Sequence, residues 1–135
     1  MSDQPDDGAL RFPRSSRGES EVDRRENARA RFLDSLEDID SYLAVARRGG
    51  PDEFEPRTAR YAAASLAIVR VASLFENDDF AVYLDSVPDG ARRGVIATRN
   101  IVAHAGYVAM DDQLFWRTID VDLPPLLERL RDAEH

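Results

Sequence analysis

The chain has 135 residues, 26 acidic against 18 basic, a formal charge of -8 at neutral pH, and no cysteine. That length suits one domain with a core of its own, and the missing thiols remove disulfide frameworks, thiolate zinc sites and cysteine nucleophiles together. Only two histidines, one of them terminal, argue against a histidine-rich metal site, and the acidic balance argues against broad coating of nucleic acid.

The first twenty residues, rich in Pro, Gly, Ser and charge, read as a disordered leader ahead of a single domain over 21–135. They lack the apolar stretch of a secretory signal, and no apolar run in the chain approaches the roughly 20 residues of a membrane helix, so the expectation is a soluble, cytoplasmic protein without a membrane partner. Ala28, Phe32, Leu36, Ile39, Leu43 and Ala46 then recur at helical spacing, which predicts one amphipathic helix from about Glu21 to Arg48. Gly49, Gly50 and Pro51 end it.

A second helix is expected from about Pro56 to Glu76, and its run Arg60-Tyr-Ala-Ala-Ala-Ser-Leu-Ala-Ile-Val-Arg-Val-Ala-Ser-Leu-Phe75 is apolar nearly all round, as a central buried helix would be. Asn77 or Asp78 caps a short third helix, closed by a Pro88-Asp89-Gly90 turn. The fourth spans roughly Arg92 to Ala105 with Val95, Thr98, Val102 and Ala105 inward. Asp111 or Asp112 caps a fifth, with Leu114, Phe115, Thr118 and Ile119 as its core face. The remaining segment is a last helix or a kinked extension, because Pro124 and Pro125 remove two backbone donors and restrict Leu123. Nothing alternates with period two for long. The fold class expected is all-α, an up-and-down bundle of four to five helices.

Every basic residue is an arginine, a bias that genome-wide base composition could produce. Between Ala91 and Met110 the formal charge is +3, from Arg92, Arg93 and Arg99, with no acid in the segment. The same segment holds Asn100, His104 and Tyr107. Asn100 and His104 share a helical face at four residues' separation, whereas Arg99 and His104 lie about 140° apart round one helix. A bidentate pair within one regular helix is therefore strained. Either Arg99 reaches across near the helix end, or equivalent segments of two subunits face each other. An imidazole exchanges protons near neutral pH, and a guanidinium is a natural fork for phosphate. Together they suggest cleavage of a phosphodiester without a metal or other cofactor, using the 2′-hydroxyl of RNA as nucleophile. The plain structural reading is a histidine capping a helix end.

The stretch from Arg99 to Leu130 resembles the HepT-like branch of the HEPN superfamily, small helical toxins paired with MntA-type nucleotidyltransferase antitoxins. The resemblance rests on Arg99-Asn100, His104, Tyr107, Asp111-Asp112, Trp116 and the run Asp122-Leu-Pro-Pro-Leu-Leu-Glu128, with upstream similarity in the second helix, and covers about residues 24–131. It implies a HEPN-like homodimer or higher even-numbered oligomer. It also implies an RNA substrate, catalysis by Arg99 and His104 with Asn100 orienting the motif, and silencing by a cognate antitoxin that attaches AMP to Tyr107. Two departures stand out. Tyr107 comes three residues after His104, where the family places it two after, as though Ala105 were inserted. Arg70-Val71 replaces a common Gly-Glu, so Arg70 either extends a basic RNA-binding cleft with Arg92 and Arg93 or marks a scaffold that has lost catalysis.

A catalytically silent HEPN module that binds a nucleotidyltransferase or a nucleotide, and a plain helical dimerisation domain, are the competing readings. Asp111-Asp112 reads as a cap ahead of a metal pair, Trp116 as core or dimer interface ahead of a base-stacking platform, and Arg92-Arg93 as solvated or phosphate-binding. Glu37, Asp38 and Asp40 read as a solvated acidic face, with a basic antitoxin surface as the alternative.

Overall fold

The structure is a computed structural model and describes residues 20–104 and 109–133. Among these residues there are five α-helices and no strand: α1 Glu21–Ala46, α2 Ala59–Phe75, α3 Asp89–His104, α4 Asp112–Arg117 and α5 Leu123–Asp132. A 3₁₀ segment, Asp78–Leu84, joins α2 to α3, and a π-helical turn, Thr118–Asp122, joins α4 to α5. The all-α expectation is met. None of the helices is long and apolar enough to cross a membrane.

Helix α1 starts where Ser20 accepts a hydrogen bond from the Asp23 amide, and Glu21 and Asp23 complement the positive end of the helix dipole. Its buried residues are Ala28, Phe32, Leu36, Ile39, Leu43 and Ala46, the face that the spacing predicts. Beyond Ala46, Gly49 and Gly50 take φ values of 80° and 74°, a left-handed conformation that costs glycine nothing and turns the chain out of the helix.

Helix α2 begins at Ala59 rather than near Pro56, because Thr58 caps it by accepting from the Tyr61 amide and Arg57 is left-handed at φ 79°. Ten of its 17 residues are buried, among them Tyr61, Ala64, Ala67, Ile68, Val71 and Ala72 with no accessible surface. The alanines let neighbouring helices approach closely, and α1 and α2 form the principal helix pair.

The third helix is a 3₁₀ turn capped by Asn77, which accepts from the Asp79 amide, and it buries Phe80, Tyr83 and Leu84. The expected Pro88-Asp89-Gly90 turn is absent: Asp89 and Gly90 already belong to α3, and the Arg92 amide donates to the Pro88 carbonyl. Asp89, in the first turn, suits that end of the helix. On α3 only Val95 is fully buried; Thr98 and Val102 are half-buried, and Ala105 lies outside the described residues.

At α4, Phe115 and then Ile119 are buried as expected, but Leu114 is 62% exposed. The short helix lays only its Phe115 side on the core. The π turn has a local cause. Pro124 and Pro125 cannot donate to the carbonyls of Asp120 and Val121, and the Leu123 amide reaches back five residues to Thr118 instead. The segment is thus one continuous, locally widened helix, and Leu123, Leu126, Leu127 and Leu130 of α5 close the core.

Arg60 clips the loop between α1 and α2. Its guanidinium donates to the carbonyls of Ala46, Gly50 and Asp52 and lies 5.5 Å from the ring centroids of both Phe54 and Trp116. Phe54 in turn packs against Tyr61, Phe115 and Trp116. Replacing Arg60→Ala strands those carbonyls at one end of the bundle. It should lower the free energy of unfolding by about 2–3 kcal/mol in urea denaturation, against little change for Arg48→Ala in the same loop.

Candidate functional site

Helix α3 carries the cationic segment, and its faces are sharply divided. Val95 points to the core. Next to it Gly90, Gly94 and Thr98 line an open groove of about 520 Å³, whose far wall is Val121, Pro125 and Leu126. A Cβ built on Gly90 or Gly94 would meet nothing within 4 Å, so packing within the chain does not demand glycine at either position. Arg93, Ala97, Asn100 and His104, spaced 4, 3 and 4 apart, form an exposed stripe on another side of the helix.

Arg99 leaves α3 towards the end of α2. Its Nη1 and Nη2 donate to the two carboxylate oxygens of Glu76 at 3.2 and 2.9 Å, a parallel fork. Its Nε donates to the Asn100 side-chain oxygen at 3.0 Å, so all three guanidinium nitrogens are engaged. The Arg99 side chain is 23% exposed and that of Glu76 52%. Glu76 is the C-cap of α2, its amide bonded back to Ala72 and Ser73. The hydrogen bond from Arg99, reinforced by its charge, holds the Glu76 carboxyl below its ordinary value of 4.5, while the carboxylate pushes the Arg99 guanidinium up.

The structure therefore brings Asn100 onto Arg99 but does not bring His104 to it. His104 is exposed in the last turn of α3 and, among the described residues, makes no hydrogen bond or ion pair. Tyr107 lies outside the described residues. Arg92 stacks its guanidinium 5.1 Å from the Phe75 ring centroid, while Arg93 projects into solvent. Arg70 donates to Asp38 of α1 at 3.0 Å and leaves α2 about 120° round from Glu76. It is committed to α1 in this arrangement.

The remaining candidates are placed as follows among the described residues. Asp111 caps α4 by accepting from the amides of Gln113 and Leu114, and Asp112 accepts from the hydroxyl of fully buried Tyr61 at 2.7 Å. Trp116 is half-buried at the edge of the Phe54 aromatic cluster. Of the acidic face of α1, Asp38 pairs with Arg70 and Asp40 with Arg131, and Glu37 stays exposed.

Glu76 is the residue that sequence reasoning missed. The only available signal was indirect: an arginine in a segment without acids must find its carboxylate on another element, but nothing in the spacing says which.

In comparisons with known proteins, no family model, no curated protein and no solved structure matches this chain.

The Arg99–Glu76 pair sets a pH dependence with a definite sign. A carboxyl held below its unfolded value contributes stability that is fully present above about pH 4.5 and is lost as pH falls through the lower folded value. Acid titration of thermal stability should therefore be shallower below pH 4.5 for Glu76→Gln than for the wild type. Parallel curves would show that the pair is not formed in solution.

Proposed function

We propose that this protein is a metal-independent endoribonuclease toxin of a HEPN/nucleotidyltransferase pair, acting as a dimer in which Arg99 of one protomer works with His104 of the other. The observation that carries the reading is the division of α3: Arg99 is a preoriented, partly enclosed guanidinium, and His104 stands exposed on a different side of the same helix. One copy leaves the two groups apart, and two copies facing each other along α3 can bring them together. The groove floored by Gly90, Gly94 and Thr98 supports close approach of a second chain, as do Leu114 and Val121, 62% and 51% exposed near it.

In this scheme Arg99 binds the scissile phosphate and offsets the charge that builds on it. His104 takes the proton of the 2′-hydroxyl as its oxygen bonds to phosphorus. The bond from phosphorus to the 5′-oxygen breaks, that oxygen gains a proton, and a 2′,3′-cyclic phosphate is left. Asn100 holds Arg99 in register, and exposed Arg93 is placed to meet flanking phosphates. An AMP group transferred to Tyr107 by a cognate nucleotidyltransferase would silence the site by adding bulk and negative charge beside it.

A second reading, a HEPN module without catalysis that binds a nucleotidyltransferase or nucleotide, has one specific observation in its favour: the fork of Arg99 is already filled by Glu76.

Purified wild-type protein should cleave total RNA in the presence of EDTA, leaving 2′,3′-cyclic phosphate ends, and its expression in a host without the partner should arrest growth. His104→Ala should lower cleavage by at least about a hundredfold and restore growth. Equal harmlessness of both proteins, with no cleavage by either, would leave the silent module standing.

A further inference from the structure

We infer that Glu76 is the resting occupant of the phosphate site on Arg99, an internal carboxylate that an RNA phosphodiester must displace in order to bind. The inference rests on the reading of Arg99 as the phosphate-binding residue and adds how that site is held closed.

The two Glu76 oxygens face Nη1 and Nη2 in the same two-pronged arrangement that a phosphate presents to a guanidinium. The side edge of Arg99 is taken by Asn100 through Nε. An incoming phosphate therefore finds the end-on fork filled, and the ligand filling it has the same charge and the same bite. Exchange leaves Arg99 with one anionic partner before and after, so no uncompensated charge is created at the guanidinium.

The two partners are not equally free to move. Arg99 is mostly covered and tethered through Nε, whereas the Glu76 side chain is half-exposed and can swing into water without disturbing any buried contact. Glu76 also sits at the C-terminal end of α2, where the helix dipole disfavours a carboxylate. The Arg99 pairing offsets that unfavourable placement, and departure into solvent relieves it. Glu76 is thus the member that yields, and Arg99 the member that stays. The segment Ala91–Met110 has no acid of its own, so closure of the site depends on this one residue from α2.

The arrangement predicts that the wild-type protein binds RNA more weakly than its cationic segment would allow. The test is the affinity of the full-length protein for a fluorescein-labelled 2′-O-methyl oligoribonucleotide, which cannot be cleaved because its nucleophile is blocked. Binding is followed by anisotropy at several salt concentrations, with circular dichroism melts checking that each variant is folded. Glu76→Gln should tighten binding about two- to fivefold, with the slope of log K against log salt little changed because Arg99 engages one phosphate in either protein.

Glu76→Asp keeps the charge but is one methylene too short to hold the fork, and it should tighten binding as well. Asp120→Asn removes a carboxylate from a comparable surface pair, with Arg47, and should leave affinity unchanged. In an Arg99→Gln background the Glu76→Gln change should have no effect. If Glu76→Gln and Glu76→Asp bind no more tightly than the wild type while Arg99→Gln binds more weakly, the occupant idea is overturned and the role of Arg99 survives. If Arg99→Gln binds as the wild type does, the reading of Arg99 itself fails and the inference falls with it.

Discussion

Burial of α2 on nearly all sides is the constraint from which the rest of this structure follows. A helix with Tyr61, Ala64, Ala67, Ile68, Val71 and Ala72 all withdrawn from solvent needs partners on several flanks. Helix α1 is its principal partner, and α3 packs on it as well, with Arg92 over Phe75 and Arg99 on Glu76 at its C-terminal end. The aromatic cluster of Phe54, Phe115 and Trp116 closes round its N-terminal end at Tyr61 and Arg60. The cationic segment inherits its position from this packing. Because α3 docks through Val95, it turns Arg99 to the cap of α2 and leaves Asn100 and His104 in solvent.

The all-arginine basic set takes on structural meaning in this setting. Among the described residues, five ion pairs connect positions far apart in sequence: Arg31 with Asp79, Arg47 with Asp120, Arg70 with Asp38, Arg99 with Glu76 and Arg131 with Asp40. Exposed pairs of this kind contribute little stability one at a time. What a planar, multi-donor group adds is direction: it fixes which carboxylates and carbonyls face which helix. Arg60, gathering the last carbonyl of α1 and two loop carbonyls beside two aromatic rings, is the extreme case, and Arg99 applies the same chemistry at the candidate site.

Legibility in the sequence tracked how one-sided each helix is. Helix α1 meets the core along a single face, so its six buried positions could be read from spacing alone. Helix α3 lies at the edge of the bundle with one flank open to a groove, and the same periodicity marked Thr98 and Val102 as interior where they are half-buried. Leu114 misled in the same way, since apolar character does not reveal which side of a six-residue helix meets the core. Boundaries shifted where a cap or a missing donor decided them, at Thr58 and at Pro124 and Pro125. At the site, the angular separation of Arg99 and His104 was visible from residue spacing. The carboxylate of Glu76, 23 residues earlier, was not, because charge complementarity says that a partner is needed without saying where in the chain it lies.

On the proposed reading, a preoriented guanidinium, an exposed imidazole on another side of the same helix and an open small-residue groove beside them would be half of a site completed by a second copy. The sharpest test is to mix two variants, Arg99→Gln and His104→Ala, and to measure cleavage of RNA by the mixture. If Arg99 of one protomer works with His104 of its partner, subunit exchange should generate one intact site per mixed dimer and restore about a quarter of the wild-type rate. If the mixture stays as inactive as either variant alone while mixed dimers are shown to form, the site is not shared in this way and the account is wrong.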